Sequence, residues 1–248
     1  MATRPSTIHS ARRFAALVAL TFLAACSGDI GLTAPGRSAD LIAPPPPPHY
    51  PIIFVHGYNA SASTWNTMVS RFKADGYTDA ELVNWSYDYK QSNATTASLL
   101  SGKVDSVLAA TGAHHVDIIT HSMGTLSARY YVRNLLLSVD TRVDAVVSLG
   151  GPNHGTTTAF GCSPISCSEM RLYSSFLTKL NSTDETWGTP RYATWWSPCD
   201  EVIYPQKSVI LSGATNTQTA CVPHSYLHEN YTIYTQVRDF VKQTPYGL

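Results

Sequence analysis

Apolar residues along this chain gather into short runs, and each run is followed by a stretch with the period of a helix. Ile52-Ile53-Phe54-Val55, Leu82-Val83-Asn84-Trp85, Val116-Asp117-Ile118-Ile119 and Ala145-Val146-Val147-Ser148-Leu149 have the length and the Val/Ile content of buried strands. Between them, a helix capped by Ser63 reaches about Lys73 and stops at Gly76. A second helix runs from about Thr96 to Ala110 and closes at Gly112. After Ser122, the positions Met123, Leu126, Tyr130 and Leu137 fall within an arc of about 60° at 3.6 residues per turn, one apolar stripe of a third helix. Residues 153–192 are less regular, with one helix predicted near Glu169 to Leu180. Trp195-Trp196 and Ser208-Val209-Ile210-Leu211 read as the last two strands, and a final helix is predicted from about Tyr231 to Lys242. Strand alternating with helix predicts the α/β class, a mostly parallel central sheet with helices on both faces, in one compact domain over residues 50–248. No internal repeat interrupts it.

The first residues follow a different pattern. Arg4, Arg12 and Arg13 precede an apolar stretch from Phe14 to Ala25, too short at 12 residues to cross a bilayer of about 30 Å. Residues 1–26 therefore read as a signal peptide, which predicts export. Leu23-Ala24-Ala25-Cys26 resembles a bacterial lipobox, in which Cys26 would be lipidated and tether the protein to a membrane; an ordinary cleavage site nearby is the alternative. Residues 27–49 are rich in Gly, Ala and Pro and end in Pro44 to Pro48, a stiff spacer rather than part of a core.

Composition narrows the partners. The 17 basic and 17 acidic side chains cancel, and no basic face stands out for nucleic acid. Without Cys26, Cys162, Cys167, Cys199 and Cys221 remain, an even number in an exported protein. Three pairings are open, of which Cys162–Cys167 with Cys199–Cys221 is preferred. The C-x4-C spacing has no second ligand pair beside it, so disulfides are favoured over zinc, and no metal is expected.

The chemistry centres on His121-Ser122-Met123-Gly124, where a strand stops and a helix begins. A serine on so tight a turn has its Oγ lifted off the backbone, the geometry of the nucleophile elbow of α/β-hydrolases. Gly124 lets turn and helix approach a neighbouring strand; Thr120 stands where the first glycine of the usual pentapeptide would be. Serine needs a histidine to take its proton, and the histidine needs a carboxylate to hold its tautomer. In this fold the chain order is Ser, then acid, then His. Of the histidines after Ser122, His154 comes before any plausible acid loop. His224 lies in the loop before the final helix, where the base belongs, while His228 reads as a surface histidine at the start of that helix. Asp200 follows the Trp195-Trp196 strand and is the preferred acid, with Glu201 as the neighbour that would replace it. A Cys199–Cys221 bridge would pin the acid and base loops together. The oxyanion needs N–H donors already in place, expected from Met123 and from Tyr58 in the loop after the first strand. His56 then reads as a loop-holding residue rather than a second base, and His121 as structural.

Four stretches carry a family resemblance: Phe54 to Tyr58, Val116 to Gly124, Gly150-Gly151-Pro152-Asn153-His154-Gly155-Thr156, and Val222 to Leu227. Together they are similar to the small bacterial class 2 lipases, over about Tyr50 to Val241. The resemblance implies a compact α/β-hydrolase that hydrolyses esters, most often of acylglycerols, with no cofactor. An ester or lipid substrate as partner and a monomeric state are expected. It puts the nucleophile on Ser122, the acid on Asp200, the base on His224 and the oxyanion donors on Tyr58 and Met123. Tyr58, Trp65, Phe160 and Trp196 are candidates for an acyl pocket, and residues 153–192 are where acyl-chain binding would be decided. A catalytically inactive binding module of the same fold, and hydrolysis of an amide or thioester, are the competing functions.

Overall fold

The computed structural model describes residues 48–243. The signal peptide, Cys26 and all but the last two residues of the spacer lie outside the described residues.

Six strands form one sheet: β1 (Ile52–Val55), β2 (Leu82–Asn84), β3 (Val116–His121), β4 (Val143–Leu149), β5 (Arg191–Trp196) and β6 (Thr215–Gln218). The order is β2-β1-β3-β4-β5-β6, and every neighbouring pair is parallel. Every residue of β3 and β4 is buried, which is why their sequences carry no polar face. Alternate residues go to opposite sides. Ile52, Phe54, Ile119, Val147 and Trp195 pack on one face against α1 (Asn66–Ala74) and, further along the chain, the helix over Tyr231–Val241. Ile53, Ile118, Val146 and Tyr192 pack on the other face against α2 (Asn93–Thr111) and α3 (Gly124–Leu135).

The apolar stripe after Ser122 does not face the sheet. Met123 and Leu126 meet Met170, Leu177 and Leu180 from two short helices, α4 (Ile165–Met170) and α5 (Ser175–Leu180), while Ala128, Tyr131 and Val132 of α3 cover the sheet. α3 is thus sandwiched, and its turn at Ser122 is held from two sides. Leu137, the last position of the predicted stripe, lies beyond the end of α3 and is exposed.

Four expectations change. The single helix over Glu169 to Leu180 is broken between α4 and α5, where Tyr173 takes a positive φ of 58° and Ser174 caps α5 through the Leu177 N–H. The helix expected from Thr96 starts earlier, at Asn93, because Glu169 accepts from the Asn93 N–H and serves its N-terminus from outside. Ser61, not Ser63, caps the turn that leads into α1. Ser208 to Leu211 is not a strand but a 3-10 turn (Gln206–Val209) and its exit; the last strand is β6, and α6 (Tyr231–Val241) comes after it in the chain.

Candidate active site

Ser122 sits at the carboxyl end of β3, with a positive φ of 54°. A non-glycine residue in the left-handed region is uncommon and costs about 1–3 kcal/mol, a strain that surrounding packing must hold. Gly124 makes the turn possible: a Cβ there would lie 2.5 Å from the carbonyl oxygens of Val55 and of His56. Only glycine lets the start of α3 approach the end of β1 so closely. Thr120, in the place of a glycine, has its hydroxyl satisfied within the sheet, donating to the Val147 carbonyl at 2.7 Å and meeting Thr125 Oγ1 at 2.7 Å.

Asp200 and His224, expected from the chain order as acid and base, are brought together. His224 Nδ1 lies 2.8 Å from Asp200 Oδ2, with both side chains buried. The Nδ1–H donates, so the proton-free nitrogen of the neutral ring is Nε2. Asp200 is fixed in turn by its other oxygen, which accepts from the Val202 and Ile203 N–H groups at 2.9 and 2.7 Å. Thr156 and Thr158 both donate to the Val202 carbonyl and so hold the loop that presents these amides. Glu201, the alternative acid, uses its carboxylate on the backbone N–H of His224 at 3.1 Å and not on the ring.

Ser122 and His224 face one cavity of about 290 Å³, whose wall also includes Gly57, Tyr58 and His228. The N–H groups of Tyr58 and Met123 have no hydrogen-bond partner among the described residues, so both remain as donors. Gly57 is in contact with the serine; a Cβ on it would fall 2.8 Å from Ser122 Cβ. The Cys162–Cys167 and Cys199–Cys221 bonds are both formed, the second between the acid and base loops. Ser197 supports the same junction, accepting from the Cys199 and Val222 N–H groups.

The other histidines are sorted by their partners. His56 Nδ1 is 2.9 Å from the Gly57 carbonyl, and its Nε2 accepts the Tyr87 N–H at 3.3 Å. Burial holds its pKa below the ordinary value, so it stays a neutral brace for the Tyr58 loop. His121 donates from Nε2 to the His224 carbonyl at 3.1 Å. Burial first, then the neighbouring His224 and His228, keep it well below the usual histidine range. His228 corrects the expectation of a surface histidine: it is buried ahead of α6, edge-on to His121 with ring centres 4.7 Å apart, and burial lowers its pKa. Of the acyl-pocket candidates, Tyr58 lines the cavity, Trp65 is fully buried in the core, Trp196 packs with Ile203 and Val209, and Phe160 is exposed.

Sequence reasoning missed the supports of the acid loop, because Val202 and Ile203 act through backbone amides and leave no side-chain signal. Thr156 lay inside a stretch already singled out, yet a threonine alone does not announce its partner. Among the described residues no group of three or more His, Cys, Asp or Glu could hold a metal ion.

Residues 49–244 match the family model for lipase (class 2). The chain belongs to the class 2 lipase family. Class 2 lipases are carboxylic ester hydrolases of the lipase and esterase type, and this member takes an ester or lipid as its substrate. Among solved structures, the mature lipase BlEst2 of Bacillus licheniformis superposes with a TM-score of 0.69 at 17% identity, covering 80% of this chain and 94% of that one. Lipase B of Aspergillus fumigatus gives 0.66 at 15% identity, over 79% of this chain and 53% of that one. An alpha/beta hydrolase from a lagoon-sediment metagenome of Mar Chica, Morocco, gives 0.55 at 15% identity, over 80% and 93%. At such identities the likeness speaks for the fold, that of the α/β-hydrolases. Paired cysteines in this class 2 lipase fit an exported protein.

Proposed function

We propose that this class 2 lipase cleaves acyl esters such as acylglycerols through an acyl-enzyme formed on Ser122. The observation that carries the reading is the His224 ring, hydrogen-bonded to Asp200 at 2.8 Å and facing the same cavity as Ser122. His224 Nε2 takes the Ser122 proton as Oγ attacks the ester carbonyl, and the buried Asp200 carboxylate stabilises the imidazolium that results. The oxyanion of the tetrahedral intermediate is received by the N–H groups of Tyr58 and Met123, each worth about 3–4 kcal/mol at the transition state. Collapse expels the alcohol, which takes the proton from His224. Water then attacks the acyl-enzyme by the same steps in reverse and frees the acid. Nothing in this sequence calls for a cofactor.

Ser122→Ala is the decisive variant. Turnover of a chromogenic ester should fall by at least about 10⁴-fold, since serine and histidine act as a unit. A fluorophosphonate probe should label the wild-type protein and not the variant. Undiminished turnover in Ser122→Ala would remove the proposed mechanism, and absence of both labelling and turnover in the wild type would favour an inactive binding module.

A further inference from the structure

Tyr58 lines a second space beside the serine cavity, a groove of about 940 Å³. Tyr58 and Lys90 form one wall; Phe160, Cys162, Pro164 and Arg171 belong to the other. Two cations line the groove and no carboxylate does. Arg171 is clamped: Nε donates to the Ala159 carbonyl at 3.2 Å, Nη2 to the Cys162 carbonyl at 3.0 Å, and the guanidinium lies 5.3 Å over the Phe160 ring. These bonds leave Nη1 free to donate, and neither Arg171 nor Lys90 is in an ion pair among the described residues. The nearby Asp88 accepts from the backbone N–H of Lys90 and not from its ammonium. The segments that carry the two walls are tied to each other, since Ser166 donates to the Tyr89 carbonyl at 2.8 Å and Tyr58 meets Tyr89 edge-on at 4.9 Å. The Cys162–Cys167 bond fixes the far wall. The Arg171 side of the groove is held in advance, while the Lys90 ammonium, 5.8 Å over the Tyr89 ring, is exposed, so Arg171 has little left to order on binding.

The groove is not purely polar. Phe160 is 60% exposed and the disulfide and Pro164 adjoin it, so an aliphatic segment has a surface to lie on. A small free anion has no use for that surface, while an amphiphile does. We propose that this groove receives a phosphate carried by the substrate, so that the enzyme prefers acyl esters of phosphorylated alcohols to neutral esters with the same acyl chain. The proposal rests on Ser122 being the esterase nucleophile, and it adds a substrate class to that site.

The test compares a short-chain 1-acyl-lysophosphatidylglycerol with the 1-monoacylglycerol of the same acyl chain, both as monomers in solution. In the wild type, kcat/KM for the phosphate ester should exceed that of the neutral one by about tenfold at low salt, the scale of one charge-assisted hydrogen bond. The preference should shrink in high salt and fall several-fold in Lys90→Glu, mainly through KM. Arg171→Gln should act likewise, and if it fails to fold for want of its carbonyl contacts, Lys90→Glu decides alone. A ratio near one, or a ratio that Lys90→Glu does not move, would overturn the groove assignment while leaving the esterase intact. Failure of the wild type to cleave either ester would instead strike the hydrolase reading on which the assignment rests. Inorganic phosphate should inhibit only weakly; inhibition at the KM of the phosphate ester would make the groove a plain anion site and overturn the substrate assignment.

Discussion

Asp200 and Glu201 are adjacent carboxylates that do different work because one turn sends them to different atoms. Asp200 Oδ2 meets the His224 ring, while Glu201 meets the His224 backbone N–H. Both hold His224, but only the first sets which ring nitrogen carries the proton. Asp200→Asn keeps the size of the side chain and reverses that choice, because an amide can donate to Nδ1 and leave the hydrogen on Nε2. Its kcat on a chromogenic ester should drop by about 10³–10⁴-fold. Gln in place of Glu201 still offers a carbonyl oxygen to the amide, so Glu201→Gln should cost less than about tenfold. Thermal melts of both variants show whether each is folded at assay temperature. Equal losses in the two would mean that Glu201 shares the tautomer-setting role with Asp200. The same sorting applies to the imidazoles: His56 and His121 each spend a nitrogen on a backbone carbonyl, in keeping with the chain order of the proposed triad. The position of His228 was not legible, because its four-residue offset from His224 suggests a helix start, whereas Asn230 caps α6 and leaves His228 inside.

Among elements, the approach of α3 to β1 decides whether the site assembles. Adding one methyl group in Gly124→Ala would press on the backbone oxygens at the end of β1, which no rotamer change relieves. The strand end carries the Tyr58 loop, so the strain should reach the proposed oxyanion donors as well as the fold. Loss of about 1–3 kcal/mol in urea unfolding is expected, with a fall in kcat larger than the fall in stability would explain at temperatures where the variant is folded. A variant with unaltered stability and activity would show that the turn has slack. Glycines at such positions were legible in the sequence, and so were β1, β3 and β4, because strands buried on both faces are mainly apolar, while the edge strand β2 showed through Leu82 and Val83. β6 was not legible. Its sequence, Thr215-Asn216-Thr217-Gln218, sits at the edge of the sheet and is largely exposed, so nothing forces it to be apolar. Ser208 to Leu211 drew the strand assignment by its apolar run, but its backbone is satisfied elsewhere. The Ser208 and Val209 carbonyls accept from His154 N–H and Asn153 Nδ2, and the Leu211 N–H donates to Asn216. The break between α4 and α5 escaped because side-chain bonds such as Ser174 to the Glu169 carbonyl set it, and periodicity carries no trace of them.

Across the molecule, two sets of buried titrating groups oppose each other from the two ends of β3. At the carboxyl end, His56, His121 and His228 are buried neutral, with pKa values lowered by burial. Unfolding frees them to take protons near their ordinary value of about 6.5, so the stability they contribute is complete above that pH and lost as pH falls below it. At the amino end, Asp117 is buried against Asp144, which also pairs with Arg191 on β5. Burial, and then the charge of Asp144, raise the Asp117 pKa well above the carboxylate range. Here the sign is opposite. The unfolded carboxyl ionises near pH 4 while the folded one keeps its proton, so the stability this group contributes is present below about pH 4 and lost as pH rises through its folded pKa. Asp117→Asn removes the titration and retains a donor toward Asp144. The variant should match the wild type near pH 4 and gain on it by up to about 1.4 kcal/mol per pH unit until the folded pKa of Asp117 is reached, beyond which the gap stays level. Because Asp117 lies at the end of β3 away from Ser122, ester turnover should keep its pH profile. Urea unfolding at several pH values checks the first expectation and steady-state kinetics the second. A gap between the two proteins that is constant with pH would mean that Asp117 is not the group that titrates, and a displaced kinetic profile would tie the two ends of the strand together.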